Sequence, residues 1–345
     1  MPARARISAR AAVLVAALLG LSLLTLTHGQ IALPFADTLG ALTGTETSDL
    51  TRQIVLEIRL PRVIAAIIAG AALGMAGVLM QALFRNPVAD VWSLGLLAGG
   101  QFGVALTVTA AAFAGPAAVS FLTVFEGPSI TIAAAVGVAV AAFFMLALGR
   151  RVGAITLLVI GLMLGFTSQG LTSVLLHFAA RAGGRVYGGW QDASFAAIAP
   201  AQLPWLLAPI LIGAAAAVAT AKPLSSLLLG ESYARSLGVK VRTLRHAVLT
   251  ATVLLVAAVV AFCGPVSFVG LIAPHFARAL AGTARILPLL PLAALGGALL
   301  ALAGDAVVHA RWEQHFLHLN TTLAILGAPI VILILIFSPA VRQWR

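Results

Sequence analysis

The sequence predicts an all-α polytopic membrane protein of about ten transmembrane helices. Three observations carry that expectation. Apolar residues make up 61% of the 345 positions and charged residues 9%, with a mean hydropathy of +1.08, a balance that excludes a water-soluble fold. Apolar runs of about 18 or more uncharged residues recur along the chain, each long enough to cross a bilayer as a helix. The charges between these runs alternate in sign bias from one connection to the next.

The first span is read at about 11–28, behind Arg4, Arg6 and Arg10. No small-x-small cleavage site precedes His28-Gly29-Gln30, so it is expected to be retained, with the N-terminus in the cytoplasm. Residues 31–58 hold Asp37, Glu46, Asp49 and Glu57 and read as an external loop. The second span, about 61–83, follows Arg59-Leu60-Pro61-Arg62, where Pro61 suits a first helical turn because that turn needs no N–H from it. Gly70, Gly74 and Gly77 then form a small-residue stripe that lets a neighbouring helix come close in lipid. Gln81 lies one turn further on, where a polar side chain must face protein or a cavity. Arg85-Asn86-Pro87-Val88-Ala89-Asp90 is a turn by composition, and a third span runs from about 93 to 114.

Two Gly-Pro dipeptides mark 115–129 as a loop. The fourth span, about 130–148, ends at Arg150-Arg151, and the fifth, about 154–178, carries Gly161 and Gly165 as a second close-packing pair. A polar, glycine-rich stretch leads to the sixth, about 202–221, which stops at Lys222. The seventh is about 246–263. Gly264-Pro265 opens a shorter eighth, about 265–281, holding Pro274, His275 and Arg278. The ninth is about 286–304, a polar loop covers 305–318, and the tenth is about 320–338.

With an inside N-terminus and ten spans, 15 of the 21 Lys/Arg and two of the ten Asp/Glu fall on the inner side. That side carries +13 and the outer side −2, which together make the chain's +11. Membrane topology accounts for this positive charge, so no nucleic-acid partner is needed. Among the six outer basic residues, Arg59 and Arg62 lie one helical turn apart and are expected to project together. They would either snorkel toward lipid headgroups or dock carboxylates of an external partner. A lone Cys263 permits neither a disulfide nor a cysteine metal site, and no cofactor is expected.

The densest charge in the second half is the run 230–245, with Glu231, Arg235, Lys240, Arg242 and Arg245. A short helix there would set Glu231, Ala234 and Gly238 on one face, which a soluble partner could pack against, with Gly238 ending the helix. The whole segment 229–245 is expected to be a cytoplasmic coupling segment. No G-x-x-x-x-G-K-[ST] is present, so the chain does not hold ATP in a P-loop of its own. No span carries a central acid or lysine, which disfavours a secondary transporter or an intramembrane hydrolase. A structural or receptor-type membrane protein would need neither the basic run nor the repeated glycine stripes.

The run 59–100, with R-L-P-R, spaced glycines, Gln81, N-P-V-A-D and L-G, resembles one family pattern. The runs 229–239 and 264–282, and Gly327-Ala328-Pro329, resemble others of the same family. The family is the permease subunit of binding-protein-dependent ABC importers for iron–siderophores, haem and cobalamin. The resemblance spans most of the chain and implies the type II ABC importer permease architecture. It also implies a bacterial inner-membrane location with both termini cytoplasmic, and no enzymatic activity in this subunit. The partners implied are two cytoplasmic ABC ATPase subunits, a second permease copy or paralogue, and a periplasmic substrate-binding protein. The ATPases would grip Glu231, Ala234, Arg235 and Gly238, while the binding protein would dock on Arg59, Arg62 and Arg311. Gly70, Gly74, Gly77, Gln81, Asn86 and Pro87 would pack beside a translocation path at the dimer axis. An iron–siderophore is the expected cargo, ahead of haem or cobalamin.

Two stretches depart from the family pattern: Gly188-Gly189-Trp190-Gln191-Asp192 and Phe316-Leu317-His318-Leu319-Asn320. Both fall on the outer side, so they put the docking role of Arg311 in doubt and leave the cargo open. The outer loop also holds His309, His315 and His318, whose imidazoles suit iron but whose spacing fits no ligand set.

Overall fold

The computed structural model describes residues 3–29, 31–45, 47–179, 181–310, 312 and 317–337. Within these residues the regular structure is helical. The chain begins with α1 (Ala3–Thr27), α2 (Phe35–Thr43) and α3 (Asp49–Gln53), and a π-helical turn, Ile54–Arg59, runs into α4 (Leu60–Phe84). Next come α5 (Leu96–Ala114), α6 (Pro116–Val124), α7 (Glu126–Gly149), α8 (Ala154–Phe178), α9 (Arg181–Gln191) and α10 (Leu203–Leu227). The last five are α11 (Glu231–Ser236), α12 (Val241–Cys263), α13 (Val269–Ala281), α14 (Ile286–Val308) and α15 (Leu319–Phe337). Among the described residues, eight helices are long and apolar enough to cross a membrane: α1, α4, α5, α7, α8, α10, α12 and α14. With the shorter apolar α13 and α15 they make the all-α polytopic fold expected of the sequence.

Two connections hold more helix than their composition suggests. The stretch 115–129 contains α6 and the start of α7, because Pro116 occupies the first turn of α6, where a missing N–H costs nothing. Its Gly-Pro dipeptides begin helices here. The acidic stretch 31–58 likewise contains α2, α3 and the π-helical turn, with Ser48 capping α3 by accepting the N–H of Thr51 at 3.2 Å.

The core forms around α4, which packs against α14, α13, α12 and α10. The glycine stripe explains how closely. A Cβ at Gly70 would overlap the carbonyl oxygen of Gly297, one at Gly74 that of Ala293, and one at Gly77 that of Gly270. In lipid, burying apolar surface between helices gains little, so the pair is held by dispersion contact between backbones this near. A second glycine contact joins α5 to α7, where Gly99 and Gly103 meet Gly137. By contrast α8 and α1 are the least covered spans, with 11% and 6% of their most apolar windows buried.

Candidate functional site

At one end of the bundle α11 stands between α10 and α12, a six-residue helix closed at both ends by glycine. Gly230 takes φ +116 before it and Gly238 φ +81 after it, conformations that L side chains rarely adopt. The Val239 N–H bonds to the Ala234 carbonyl at 3.0 Å and the Gly238 N–H to the Arg235 carbonyl at 2.9 Å. This is the Schellman closure that a glycine at that position permits. Glu231 accepts from Arg235 and from Arg245, each at 3.1 Å. The buried Arg245 also donates to the Val152 carbonyl at 2.6 Å, in the turn between α7 and α8. One guanidinium therefore ties α11 to the start of α8.

The face expected on α11 is distributed differently. Ala234 is fully buried within the chain, while Arg235 and Gly238 of the expected contact set stay open together with Ser232, Tyr233, Ser236 and Leu237, and Leu229 just before the helix. A helix of under two turns has its inward face chosen by its flanking spans, which residue spacing alone does not reveal.

Close to that end, Gln81 is fully buried and bridges α4 to α13: its Oε1 accepts from Arg278 and its Nε2 donates to the Leu271 carbonyl at 3.3 Å. The His275 Nε2–H donates to the Pro87 carbonyl at 2.9 Å, and the Asn86 side chain accepts the Val88 N–H at 3.1 Å. The turn after α4 is thereby laced to α13. Asp90 lies in the same turn, accepts the Val91 N–H at 2.7 Å, and has its carboxyl pushed up to about 6 by desolvation. The glycines of α4 and Gln81 thus face neighbouring helices of this chain.

At the opposite end Arg59 and Arg62 do not project together. Both are buried, because the π-helical turn and the first turn of α4 are covered by α1, α2 and α14. Arg59 donates to the carbonyls of Leu26, at 2.7 Å, and of Ile31. Arg62 Nε lies 3.1 Å from Asp305 Oδ2, and His309 Nδ1 lies 3.2 Å from the other oxygen of the same carboxylate. Arg311 and His315 lie outside the described residues.

The two stretches that depart from the family pattern meet at this end: His318 Nδ1 stands 3.4 Å from Asp192 Oδ2, both half exposed. Asn320 has a role that nothing in its sequence context announced. It accepts the N–H of Ser267 at 3.0 Å and its hydroxyl at 2.8 Å, and donates to the Pro265 carbonyl at 2.9 Å.

Along α8 the exposed residues include Phe166, Thr167, Gln169, Gly170, Ser173 and His177. Serine and threonine can return a hydroxyl to a helix carbonyl, but Gln169 in a span requires water or protein beside it.

A sequence model of the FecCD transport family matches residues 15–337. The chain belongs to the FecCD transport family. Among its relatives is the ferric enterobactin transport system permease protein FepD of Escherichia coli, 33% identical over 90% of this chain and 89% of that one. The Fe(3+) dicitrate permease protein FecC of Escherichia coli is 31% identical over 88% of this chain and 89% of that one. The vitamin B12 import system permease protein BtuC of Vibrio cholerae is 31% identical over 84% of each. A solved metal-chelate type ABC transporter in an inward-facing conformation has the same fold, with a TM-score of 0.80 at 24% identity over 95% of this chain and 99% of that one. This FecCD member is therefore an ABC transport permease, and its family is not one of catalytic subunits.

Proposed function

We propose that this permease is one of two membrane subunits of an ATP-driven importer that takes a ferric siderophore from a periplasmic binding protein. The second subunit is an identical copy or a paralogue, and haem or cobalamin is the alternative cargo. The observation that carries the reading is the tie from α11 through Arg245 and the Val152 carbonyl to α8, one of the two least covered spans and one that exposes a polar Gln169. A partner gripping Tyr233 and Leu237 would shift the start of the helix that faces the second subunit. Two ATPases closing on nucleotide, one per permease, provide that displacement, and the transported molecule passes between the two α8 helices. Such a subunit links two states whose relative stability nucleotide and docked binding protein each shift.

In this reading the α11 end lies in the cytoplasm of a bacterium, as the +13 inner charge favours. The binding protein arrives at the Arg62–Asp305 end. For Arg59 or Arg62 to take a carboxylate from it, the guanidinium would have to leave its partner inside the chain. The named cargoes of the relatives, ferric enterobactin and ferric dicitrate among them, support an iron chelate.

The test is purification of the tagged chain from its own membrane in mild detergent, with mass spectrometry of the bound subunits. A P-loop ATPase in the complex, absent from the Gly238→Pro variant, is the expected result. A chain that emerges alone and imports cargo without ATP would overturn the proposal.

A further inference from the structure

At the α11 end, the start of α1, the end of α10 and the turn from α13 into α14 border a cavity of about 760 Å³. Its polar lining is Lys222, Thr283, Arg285 and Ser225, and its apolar wall includes Ile7 and Leu287. Lys222 and Arg285 are exposed, and among the described residues neither forms an ion pair. The acids at this end are Asp90 and Glu231, and Glu231 is already shared between Arg235 and Arg245.

The hydroxyls differ in what they have left to offer. Ser225 donates to the Ala221 carbonyl at 2.8 Å and accepts the Ile286 N–H at 3.1 Å, so it serves as a cap for α14. Thr283 accepts the Arg285 N–H at 3.2 Å, which leaves its O–H to donate. Two unpaired cations, a hydroxyl donor and the positive end of the α14 dipole therefore converge on one cavity. Arg10 reaches from α1 to the Leu280 carbonyl and holds the third wall in place.

We propose that this cavity binds the phosphodiester headgroup of an anionic phospholipid, with its acyl chains lying along α1. The level in the bilayer fits: Lys222 lies near the end of one spanning helix and Arg285 immediately precedes another, where headgroups lie. The shared chemistry, a phosphate oxygen facing two cations, would also suit free phosphate. Lipid is favoured because part of the lining is apolar, and because Val13 and Leu19 of α1 remain 68% and 61% exposed. Acyl chains would cover that surface, and the headgroup would bridge α1 to α10 and α14. Unlike a span end with scattered basic residues, this cavity has both cations and a donor in its lining.

The experiment is native mass spectrometry of the purified full-length chain exchanged into detergent holding equal amounts of dioleoyl phosphatidylglycerol and dioleoyl phosphatidylcholine. The wild type should keep phosphatidylglycerol at collision energies that strip phosphatidylcholine. Lys222→Gln with Arg285→Gln should weaken its retention about thirty-fold, as loss of two near-surface cations implies. Arg150→Gln with Arg151→Gln, a basic pair in the α7–α8 connection, should change nothing. Equal retention by the two double variants would overturn the site. Displacement of the lipid by millimolar inorganic phosphate would make it a free-anion site and overturn the lipid assignment. A tryptophan reporter, Ile7→Trp, gives a reading that needs no charge variant. The emission it adds to that of the five native tryptophans, taken as the difference from the wild type, should be quenched by brominated phosphatidylglycerol and spared by brominated phosphatidylcholine, and equal quenching by both would count against the proposal.

Discussion

Asn320 at the start of α15 holds Ser267 by two hydrogen bonds, accepting its N–H at 3.0 Å and its hydroxyl at 2.8 Å. The contact matters because α13 has only 13 residues, about 20 Å of helix, too short to cross a core of about 30 Å. The irregular chain at 264–268 precedes α13, and irregular backbone within a bilayer persists only when protein satisfies it. Asn320 does so, with its amide also donating to the Pro265 carbonyl. Asn320→Leu keeps the number and branching of the side-chain heavy atoms and removes all three bonds. It should cost about 1–3 kcal/mol through the orphaned Ser267 N–H and Pro265 carbonyl, read as a lower thermal midpoint of the detergent-purified protein. An unchanged midpoint would contradict the clasp.

The Arg62–Asp305 pair is a buried charge pair, and its two halves should fail asymmetrically from the whole. Asp305→Ala leaves an uncompensated guanidinium among α1, α4 and α14 and should cost about 3–5 kcal/mol. Arg62→Met combined with Asp305→Leu should recover most of that loss. A double-mutant cycle in thermal unfolding checks the coupling, and simple additivity would show that the pair contributes nothing.

Gly77→Ala drives a methyl into the Gly270 carbonyl, with backbone on both sides and no flexible side chain to yield. A loss of about 1–3 kcal/mol and a shift of α13 away from α4 are expected. Gly170→Ala, at a glycine with open space around it, is the control and should be silent in the isolated chain.

Arg245→Ala cuts α11 from the α7–α8 turn while leaving both helices capped. Transport should fall by at least about tenfold, the lower range of a coupling free energy, while membrane insertion and ATPase binding are retained. Uptake at the wild-type rate would remove Arg245 from the mechanism. Gly238→Pro is the harsher change, since proline cannot adopt φ +81 and loses the N–H that bonds to Arg235. It should detach the ATPase itself, which affinity purification reads directly.

The fold class was legible because uncharged apolar runs of that length have few uses other than crossing lipid. The short helices outside the bilayer were not, since Gly115-Pro116 reads equally as a turn or as a helix start, and neighbouring packing decides which. Residue spacing placed Arg59 and Arg62 on one side of one helix. It said nothing of Asp305, more than 240 positions away, which holds Arg62 inside. Glu231 and Gly238 announced a short helix with a defined end, but which side of it faces the bundle depends on where α10 and α12 stand. Asn320 was visible only as a departure from a pattern, because a backbone needing help at 264–268 cannot be seen in residue order.

The central claim is that this permease moves its cargo by coupling to ATP through α11. The most direct measurement is uptake of a radiolabelled ferric siderophore into proteoliposomes holding the purified complex and its binding protein. With the binding protein outside, uptake should require ATP enclosed in the vesicle lumen, persist when an uncoupler collapses the proton gradient, and vanish in the Glu231→Arg variant. Uptake driven by the proton gradient without ATP, or undiminished in Glu231→Arg, would contradict the account.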